Sequence, residues 1–235
     1  MGSQFRCVNC GNPVDKLYIQ YSPGNIRLSK CEACRSIADE YIECEPMIVF
    51  IDLILHKPKA YRHLLFNTLH PNSCIVDSYL NSHILLKSLA LLFFLDACRA
   101  VVLVLTNNTD DGSSVTAAGL KIVVGALLGN LSFLGVFAAG FSRRLLNLTG
   151  GFGGYKDVLL AVVVSSCLKF FMVAMLVWDF PAFVVYVVDL FVLSSNLVAL
   201  RVISKDSPLS RCVAVCFAAH STKLLFGWMI NLFLV

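Results

Sequence analysis

Composition, cysteine spacing and hydropathy together predict a two-part fold: a small zinc ribbon with interfacial helices, followed by an all-α polytopic membrane domain of about five transmembrane helices. The 235 residues are 57% hydrophobic and 14% charged, with a mean hydropathy of +0.76. Soluble domains are roughly 45–50% apolar and about 25% charged, so this composition indicates a membrane protein. We divide the chain into a head at 1–45, amphipathic helices and a linker at 46–82, and a membrane domain at 83–235.

The head contains two Cys-x-x-Cys pairs separated by twenty residues. Its four candidate metal ligands are Cys7, Cys10, Cys31 and Cys34. Two such pairs at this spacing are typical of a tetrahedral zinc site. Between them, Leu17, Ile19 and Tyr21 alternate along one segment, a Ser-Pro-Gly-Asn turn follows at 22–25, and the chain returns through 26–28. This pattern predicts a β-hairpin, and the two features together predict a zinc ribbon.

Two disulfide bonds are the alternative interpretation of the four cysteines, and they require an oxidising compartment. The segment MGSQFRCVNCGN lacks the apolar stretch of a signal peptide, so we expect the head to stay in the cytosol and to bind Zn²⁺. Four thiolates close the coordination sphere, which predicts a structural rather than a catalytic ion. Basic and acidic residues are balanced in the head, so its charge does not favour nucleic acid as a partner.

An apolar run at 47–55 follows the head and is too short to span a bilayer, which needs about 20 apolar residues. On a helix its apolar side chains share a face, and three cations follow within two turns. We expect this helix to lie in the cytosolic interface of the membrane, with the cations near lipid phosphates. The residues predicted to contact the membrane are Phe50, Ile51, Ile54, Lys57, Lys59 and Arg62. The alternative is that the helix packs under the ribbon as core, and the two arrangements can coexist.

Five later stretches are long enough to cross a hydrocarbon core about 30 Å thick. They cover approximately 84–105, 117–139, 158–178, 182–203 and 212–235. Lys and Arg are abundant before the first stretch and occur in the second and fourth links, whereas the first and third links have none. By the positive-inside rule, we expect the head and the second and fourth links in the cytosol.

Several ionisable residues fall within the predicted spans, where they are costly and therefore candidates for function. They are Asp96, Arg99, Lys169, Asp189, His220 and Lys223. Asp96 and Arg99 are three residues apart and are expected to pair on one helix face. Asp189 is expected to face Lys169 or Lys223, a choice that the sequence leaves open. We interpret these residues as polar contacts that set helix packing, with a path for lipid headgroups as the alternative.

The paired cysteine motifs, the segment IADEYIE and the segment FIDLILHKPKAYRHLLFN together resemble the homology domain of the Arv family of endoplasmic reticulum membrane proteins. The similarity is close over about 5–68 and weaker over the spans. The resemblance implies a role in sterol homeostasis, through sterol trafficking and distribution between membranes, with effects on sphingolipid metabolism and GPI-anchor assembly. It also implies a multi-pass protein of the endoplasmic reticulum membrane, with sterol, sphingolipid or glycolipid as partners.

Three functions are open at this point. The first is a non-enzymatic protein that handles lipid, with the head on the cytosolic leaflet and the spans presenting or moving the lipid. The second is an accessory or scaffold subunit whose ribbon supports a complex that assembles GPI-anchor precursors. The third is an intramembrane enzyme with Asp96, Asp189 or His220 as acid or base. Because no nucleophile or metal-hydrolase motif accompanies these residues, we expect that the chain is not an enzyme.

Overall fold

The structure of the protein is a computed structural model in which the chain forms two compact units, Met1–Leu85 and Leu86–Val235. The residues that it describes are 5–69, 78–106, 115–149, 152–178, 180–181, 183–204 and 208–233. The first unit contains the cysteine motifs and the short helices that follow them. The second unit contains the long apolar helices.

The head is built from short antiparallel β-hairpins. Its strands are β1 (Phe5–Arg6), β2 (Pro13–Val14), β3 (Tyr18–Ser22) and β4 (Asn25–Leu28). Strand β1 pairs with β2, a hairpin that the sequence pattern does not predict, and β3 pairs with β4 so that Tyr18 lies opposite Leu28. The second turn contains Gly24 with a φ of 83°, which glycine adopts without steric cost. The predicted hairpin and its turn are confirmed.

Four short helical segments follow the ribbon. They are a 3₁₀ helix at Glu40–Glu43, α1 at Pro46–Ile54, α2 at Pro58–Arg62 and a π-helical segment at His63–Thr68. Pro46 and Pro58 lie in the first turn of their helices, where the missing N–H of proline loses no helical hydrogen bond. Asp39 caps the 3₁₀ helix by accepting a hydrogen bond from the Tyr41 N–H at 3.0 Å.

Helix α1 has one buried face and one exposed apolar face. Val49, Asp52 and Leu53 are buried, and Ile54 is half-buried. The exposed apolar side chains of α1 and its C-terminal cap are Met47, Ile48, Phe50, Ile51 and Leu55. Core packing and an exposed apolar surface therefore coexist on this helix. Contact between that surface and a membrane stays a prediction.

The described residues from Ser78 onward contain six α-helices. They are α3 (Ser78–Thr106), α4 (Val115–Thr149), α5 (Phe152–Ser165), α6 (Phe171–Val177), α7 (Phe183–Ile203) and α8 (Leu209–Phe233). Four segments among the described residues are long and apolar enough to cross a membrane, namely Gly119–Gly140, Val158–Met175, Phe183–Ile203 and Leu209–Met229. They match the last four predicted spans. The first predicted span, 84–105, lies within α3 but extends past Val102, the last residue of α3 whose side chain is described, so it stays a prediction.

The third predicted span, 158–178, is interrupted in its middle. Helix α5 ends at Ser165, a 3₁₀ turn occupies Cys167–Phe170, and α6 begins at Phe171. The sequence contains one signal of this break, the neighbouring hydroxyl groups of Ser165 and Ser166, because serine side chains compete for backbone hydrogen bonds. The interruption gives Lys169 a position outside a regular helix.

A buried apolar cluster joins α3, α4, α5, α7 and α8. Its members are Leu92, Phe133, Phe137, Val158, Val162, Leu200, Cys212, Cys216 and Ala219. Helices α4 and α8 approach closely at Gly140, where an added Cβ would lie 2.6 Å from a methyl carbon of Val215. Glycine at this position therefore permits the close approach of two membrane helices.

Candidate metal centre and buried ion network

The four cysteines of the head converge on one point. Their Sγ atoms all lie within 4.8 Å of one another, and the Cys7–Cys34 and Cys10–Cys31 pairs are each separated by 3.7 Å. Four sulfurs bound at about 2.3 Å to a tetrahedral Zn²⁺ ion lie about 3.8 Å apart. A disulfide bond requires about 2.05 Å, and all four cysteines are free. The cluster can therefore hold a metal ion, and its geometry fits a thiolate site rather than two disulfides.

Two matching backbone turns position these cysteines. The Gly11 N–H donates to the Cys7 carbonyl at 2.8 Å, and the Arg35 N–H donates to the Cys31 carbonyl at 2.8 Å. Both residues have a positive φ, 75° for Gly11 and 60° for Arg35. Glycine suits this left-handed conformation, whereas a residue with a side chain carries a steric cost of roughly 1–2 kcal/mol. The second turn therefore keeps the geometry of the first despite a less suitable residue.

Two of the four thiols differ in acidity because their surroundings differ. Burial raises the pKa of the Cys7 thiol to about 12, whereas a hydrogen bond from the Ser36 backbone lowers the pKa of Cys34 to about 7. A coordinated metal ion requires the thiolate form of every ligand. Metal binding at this site would therefore release protons and depend on pH.

Arg62, which the sequence analysis assigned to lipid phosphates, contacts the first cysteine turn. Its Nη1 atom donates to the carbonyl oxygens of Val8 at 2.7 Å and Asn9 at 2.8 Å. A divalent ion with four thiolates carries an excess of negative charge, so a neighbouring guanidinium is electrostatically favourable. The Nη1 atom of Arg62 therefore supports the first cysteine turn, and contact between this residue and lipid phosphates stays a prediction.

Asp39 connects the cysteine turns to the helices that follow. Its fully buried carboxylate accepts hydrogen bonds from the Tyr41 N–H at 3.0 Å, from His63 Nδ1 at 2.7 Å and from Asn67 Nδ2 at 2.6 Å. Asn67 also bonds both backbone groups of Arg6, each at 2.9 Å. The sequence analysis missed this network, because its members are too far apart along the chain for any local pattern to link them.

The other two cations predicted at the membrane also have partners within the first unit. Lys57 pairs with Asp52 at 2.7 Å and Lys59 pairs with Glu40 at 3.1 Å, while the lysine side chains stay 52% and 40% exposed. The hydrogen bond from Lys57 lowers the pKa of the Asp52 carboxyl. Burial, together with a 2.8 Å hydrogen bond to Asp52, raises the pKa of Tyr41. These ion pairs hold Lys57 and Lys59 in place while both side chains stay partly exposed to solvent.

Among the described residues, five of the charged residues predicted within the spans form two ion clusters. Asp96 Oδ1 lies 2.7 Å from Lys223 Nζ and 3.1 Å from Lys169 Nζ. Arg99 donates to both carboxylate oxygens of Asp189, with a shortest distance of 2.6 Å. The expected pairing of Asp96 with Arg99 is therefore wrong, and Asp189 faces neither lysine. A bidentate contact between helices α3 and α7 gives the guanidinium better geometry than a carboxylate three residues away on its own helix.

His220 belongs to a separate polar chain across α5, α7 and α8. Its Nε2 atom lies 3.1 Å from Asn196 Nδ2, and the Ser165 hydroxyl donates to Asn196 Oδ1. Because an amide nitrogen can only donate, His220 Nε2 accepts this bond and carries no proton. The imidazole also packs edge-on against Phe133, with ring centroids 5.1 Å apart. These contacts are those of a residue that joins helices.

Asn130 and Ser165 are partners that the sequence analysis did not single out. The Asn130 amide oxygen lies 3.5 Å from Lys223 Nζ, and its amide nitrogen donates to the Ala126 carbonyl at 2.9 Å. Neither residue carries a charge, so neither stands out in an apolar span. Asn130 is an uncharged polar residue within a predicted span, and this was the only sign of its role that the sequence offered.

Comparison with known proteins extends the similarity beyond the head. The profile of the Arv1-like family matches residues 6–200, which is most of the chain. Protein ARV 2 of Arabidopsis thaliana is 46% identical over 224 residues, which cover 93% of this chain and 92% of the relative. Protein ARV 1 of Arabidopsis thaliana is 42% identical over 225 residues, with coverages of 96% and 88%.

A mammalian protein is also similar to this chain. Protein ARV1 of Homo sapiens is 28% identical over 213 residues, which cover 85% of this chain and 72% of the relative. No solved structure matches the chain with significance. The paired cysteine turns, the apolar helices and the family match are consistent with one another over most of the sequence. The chain therefore belongs to the Arv1-like family.

Proposed function

We propose that this chain is a non-enzymatic, lipid-handling protein of the endoplasmic reticulum membrane that acts in sterol homeostasis. Its contribution would be sterol trafficking and distribution between membranes, with an influence on sphingolipid metabolism. Membership of the Arv1-like family supports the lipid role. The apolar helices support a multi-pass membrane protein. The alternative of a scaffold subunit for GPI-anchor precursor assembly stays a prediction.

The exposed apolar face of α1 is the observation that carries the proposal. Four of its side chains, those of Met47, Ile48, Ile51 and Leu55, are between 45% and 63% exposed. A helix with such a face is stabilised when the face enters the boundary between headgroups and acyl chains. Because the opposite face of α1 is packed as core, the head would present this surface as a fixed unit rather than as a free peptide.

Lys57 and Lys59 follow the apolar face and keep much of their side chains exposed. Cations beside an apolar face add attraction for anionic lipids of the cytosolic leaflet. The excess of Lys and Arg before the spans and in the second and fourth links supports a cytosolic head. We therefore propose that the head lies on the cytosolic surface, where α1 contacts the lipid that the protein handles.

We propose Zn²⁺ as the ion of the four-cysteine cluster, held by Cys7, Cys10, Cys31 and Cys34. Four thiolates in tetrahedral geometry are a typical structural zinc site and leave no open coordination position for a substrate. The role of the ion would be to hold the two turns together, since a head of this size buries little apolar core. The chemistry of lipid handling would then belong to the apolar surfaces and not to the metal.

The experiment compares two isoleucines of almost equal exposure in the full-length protein. Ile51 on α1 is 47% exposed and Ile19 on β3 is 48% exposed. In cells that lack the protein, we expect wild type and Ile19→Glu to restore sterol transfer from the endoplasmic reticulum to the plasma membrane. We expect Ile51→Glu to fail, because a buried carboxylate at the acyl boundary is costly. Equal restoration by both variants would contradict the role of α1, and no change in sterol distribution on loss of the protein would contradict the function itself.

A further inference from the structure

Strand β3 of the head has an open edge. It pairs with β4 on one side, and within the residues that the structure describes no strand pairs with its other side. All five of its residues are exposed, among them Tyr18 at 43%, Ile19 at 48% and Tyr21 at 64%. A strand edge of this kind presents backbone N–H and C=O groups with which another chain can pair.

The backbone groups of two residues of β3 point away from β4. The Ser29 N–H donates to the Leu17 carbonyl at 2.8 Å, which fixes the direction of the backbone groups of Leu17. In an antiparallel ladder, successive residues turn their backbone groups alternately toward and away from the neighbouring strand. Leu17 and Ile19 therefore face β4. Tyr18 and Gln20 present their N–H and C=O groups at the open edge.

The open edge lacks most of the features that prevent pairing between proteins. Strand edges are commonly protected by charged side chains, by proline or by a bulge. The sequence Tyr-Ile-Gln-Tyr-Ser of β3 contains no charge and no proline. A bulge occurs between Gln20 and Ser22, so the regular edge consists of residues 18–20. An uncharged edge of this length can pair with another short strand without electrostatic repulsion.

The edge is complementary to a second copy of itself. When two copies pair in antiparallel directions about a two-fold axis at Ile19, Tyr18 of each copy lies opposite Gln20 of the other. The N–H and C=O groups that each copy presents then meet those of the other copy. Ile19 lies opposite Ile19 of the second copy, in a pair whose Cα atoms are about 4.5 Å apart. Two β-branched apolar side chains at this distance pack against each other.

We propose that two copies of this chain associate through their β3 edges, so that the two hairpins form one continuous sheet. The interface is short, but the apolar helices confine both copies to one membrane. This confinement raises the local concentration of one edge near the other and strengthens a weak contact. The association does not depend on the proposed sterol role, because sterol transfer is expected to survive substitution of Ile19.

The test measures energy transfer between full-length chains with donor and acceptor fluorophores in phosphatidylcholine liposomes, as added lipid dilutes the chains. Ile19 lies opposite Arg27 of its own hairpin, so Ile19→Lys places a row of cations across the two-fold axis. We expect Ile19→Lys to weaken association at least about tenfold, because like charges directly opposite each other repel. A mixture of Ile19→Lys and Ile19→Glu chains should associate again, because opposite charges then meet.

Two further variants separate pairing from folding. Gln20→Pro removes an outward N–H without adding charge, and proline is tolerated at a strand edge, so this variant should also associate weakly. Ile37→Lys makes the same change at an isoleucine outside β3 that is 42% exposed, and it should associate like wild type. A zinc content of about one ion per chain shows that each variant keeps its head folded.

Three results would overturn the proposal. They are the absence of association in wild type, association of Ile19→Lys as strong as that of wild type, and no recovery in the mixture of oppositely charged chains. If Ile19→Lys lost its zinc, Gln20→Pro would decide, and wild-type association in that variant would show that the β3 edge is not the interface.

Discussion

Two buried aspartates, one in each unit of the molecule, have opposite surroundings. Asp39 in the head accepts hydrogen bonds from a backbone N–H, an imidazole and an amide. Asp96 in the membrane domain is contacted by two ammonium groups. Both carboxylates are almost fully buried. The first is surrounded mainly by dipoles that match its charge, whereas the second is surrounded by more positive charge than it can neutralise.

The difference separates a hydrogen-bond network from an ion cluster. A carboxylate saturated by hydrogen bonds fixes the elements that supply the donors, and nothing further is required of it. Two ammonium groups on one buried carboxylate depend on it as their counter-charge, because surroundings of low dielectric constant screen charge poorly. Loss of one partner should therefore cost more stability at Asp96 than at Asp39.

Metal removal should produce the largest effect, and only in the head. A structural zinc site contributes roughly 10–16 kcal/mol of apparent binding energy to folding. We expect Cys31→Ser, or a strong chelator, to expose residues 5–69 to protease while tryptophan fluorescence stays unchanged, because both tryptophans, Trp178 and Trp228, lie in the membrane domain.

Metal content of the purified chain gives the control for this prediction. Cys44→Ser removes a thiol outside the cluster and should keep about one zinc per chain, whereas Cys31→Ser should keep none. Full zinc occupancy in Cys31→Ser would contradict the four-cysteine site. Loss of the tryptophan signal on chelation would contradict an effect of the metal that is confined to the first unit.

The next largest effects should come from neutralising the two aspartates. Asp96→Asn leaves two buried lysines without a counter-charge and should cost about 3–5 kcal/mol of stability in the membrane domain. Adding Lys169→Gln restores the excess to one charge and should recover most of that loss. Asp39→Asn should cost about 1–3 kcal/mol in the head, through donors left without an acceptor.

Chemical unfolding separates these two effects, with tryptophan fluorescence for the membrane domain and zinc release for the head. Glu40→Gln breaks the exposed pair with Lys59 and is the control for Asp39, with an expected effect below about 1 kcal/mol. If the second substitution failed to rescue Asp96→Asn, the charge imbalance would not be the cause of its instability.

A smaller effect should follow from replacing Arg62, and it tests whether the guanidinium supports the first cysteine turn. Because Arg62 holds the carbonyls of Val8 and Asn9, Arg62→Gln should lower the affinity for zinc by about 10-fold, as loss of an outer-shell partner does in other metal sites. Arg27→Gln, at an exposed position of β4, should leave the affinity unchanged. Competition with a chromophoric chelator measures both affinities, and a normal zinc affinity in Arg62→Gln would contradict a supporting role of Arg62 at the metal site.

The distance along the chain between interacting residues explains which features the sequence could predict. The cysteine cluster and the β3–β4 turn depend on residues close together in the chain, and four spans depend on hydropathy alone, so each leaves a local signal. The partner of Arg99 lies 90 residues away and the partner of Asp39 at Asn67 lies 28 residues away. Periodicity carries no information at those distances, and the choice among several possible counter-charges depends on packing.

The smallest effects should come from the two cysteine turns. Gly11 and Arg35 occupy equivalent left-handed positions, so their substitutions should have opposite signs. Gly11→Ala should destabilise the head by about 1 kcal/mol, and Arg35→Gly should stabilise it by up to about 1 kcal/mol, the steric relief exceeding the added freedom of the unfolded chain. Arg35→Ala keeps the steric cost and removes only the guanidinium, so it should show no gain. A gain in Arg35→Ala equal to that in Arg35→Gly would mean that charge, rather than backbone conformation, distinguishes the second turn from the first.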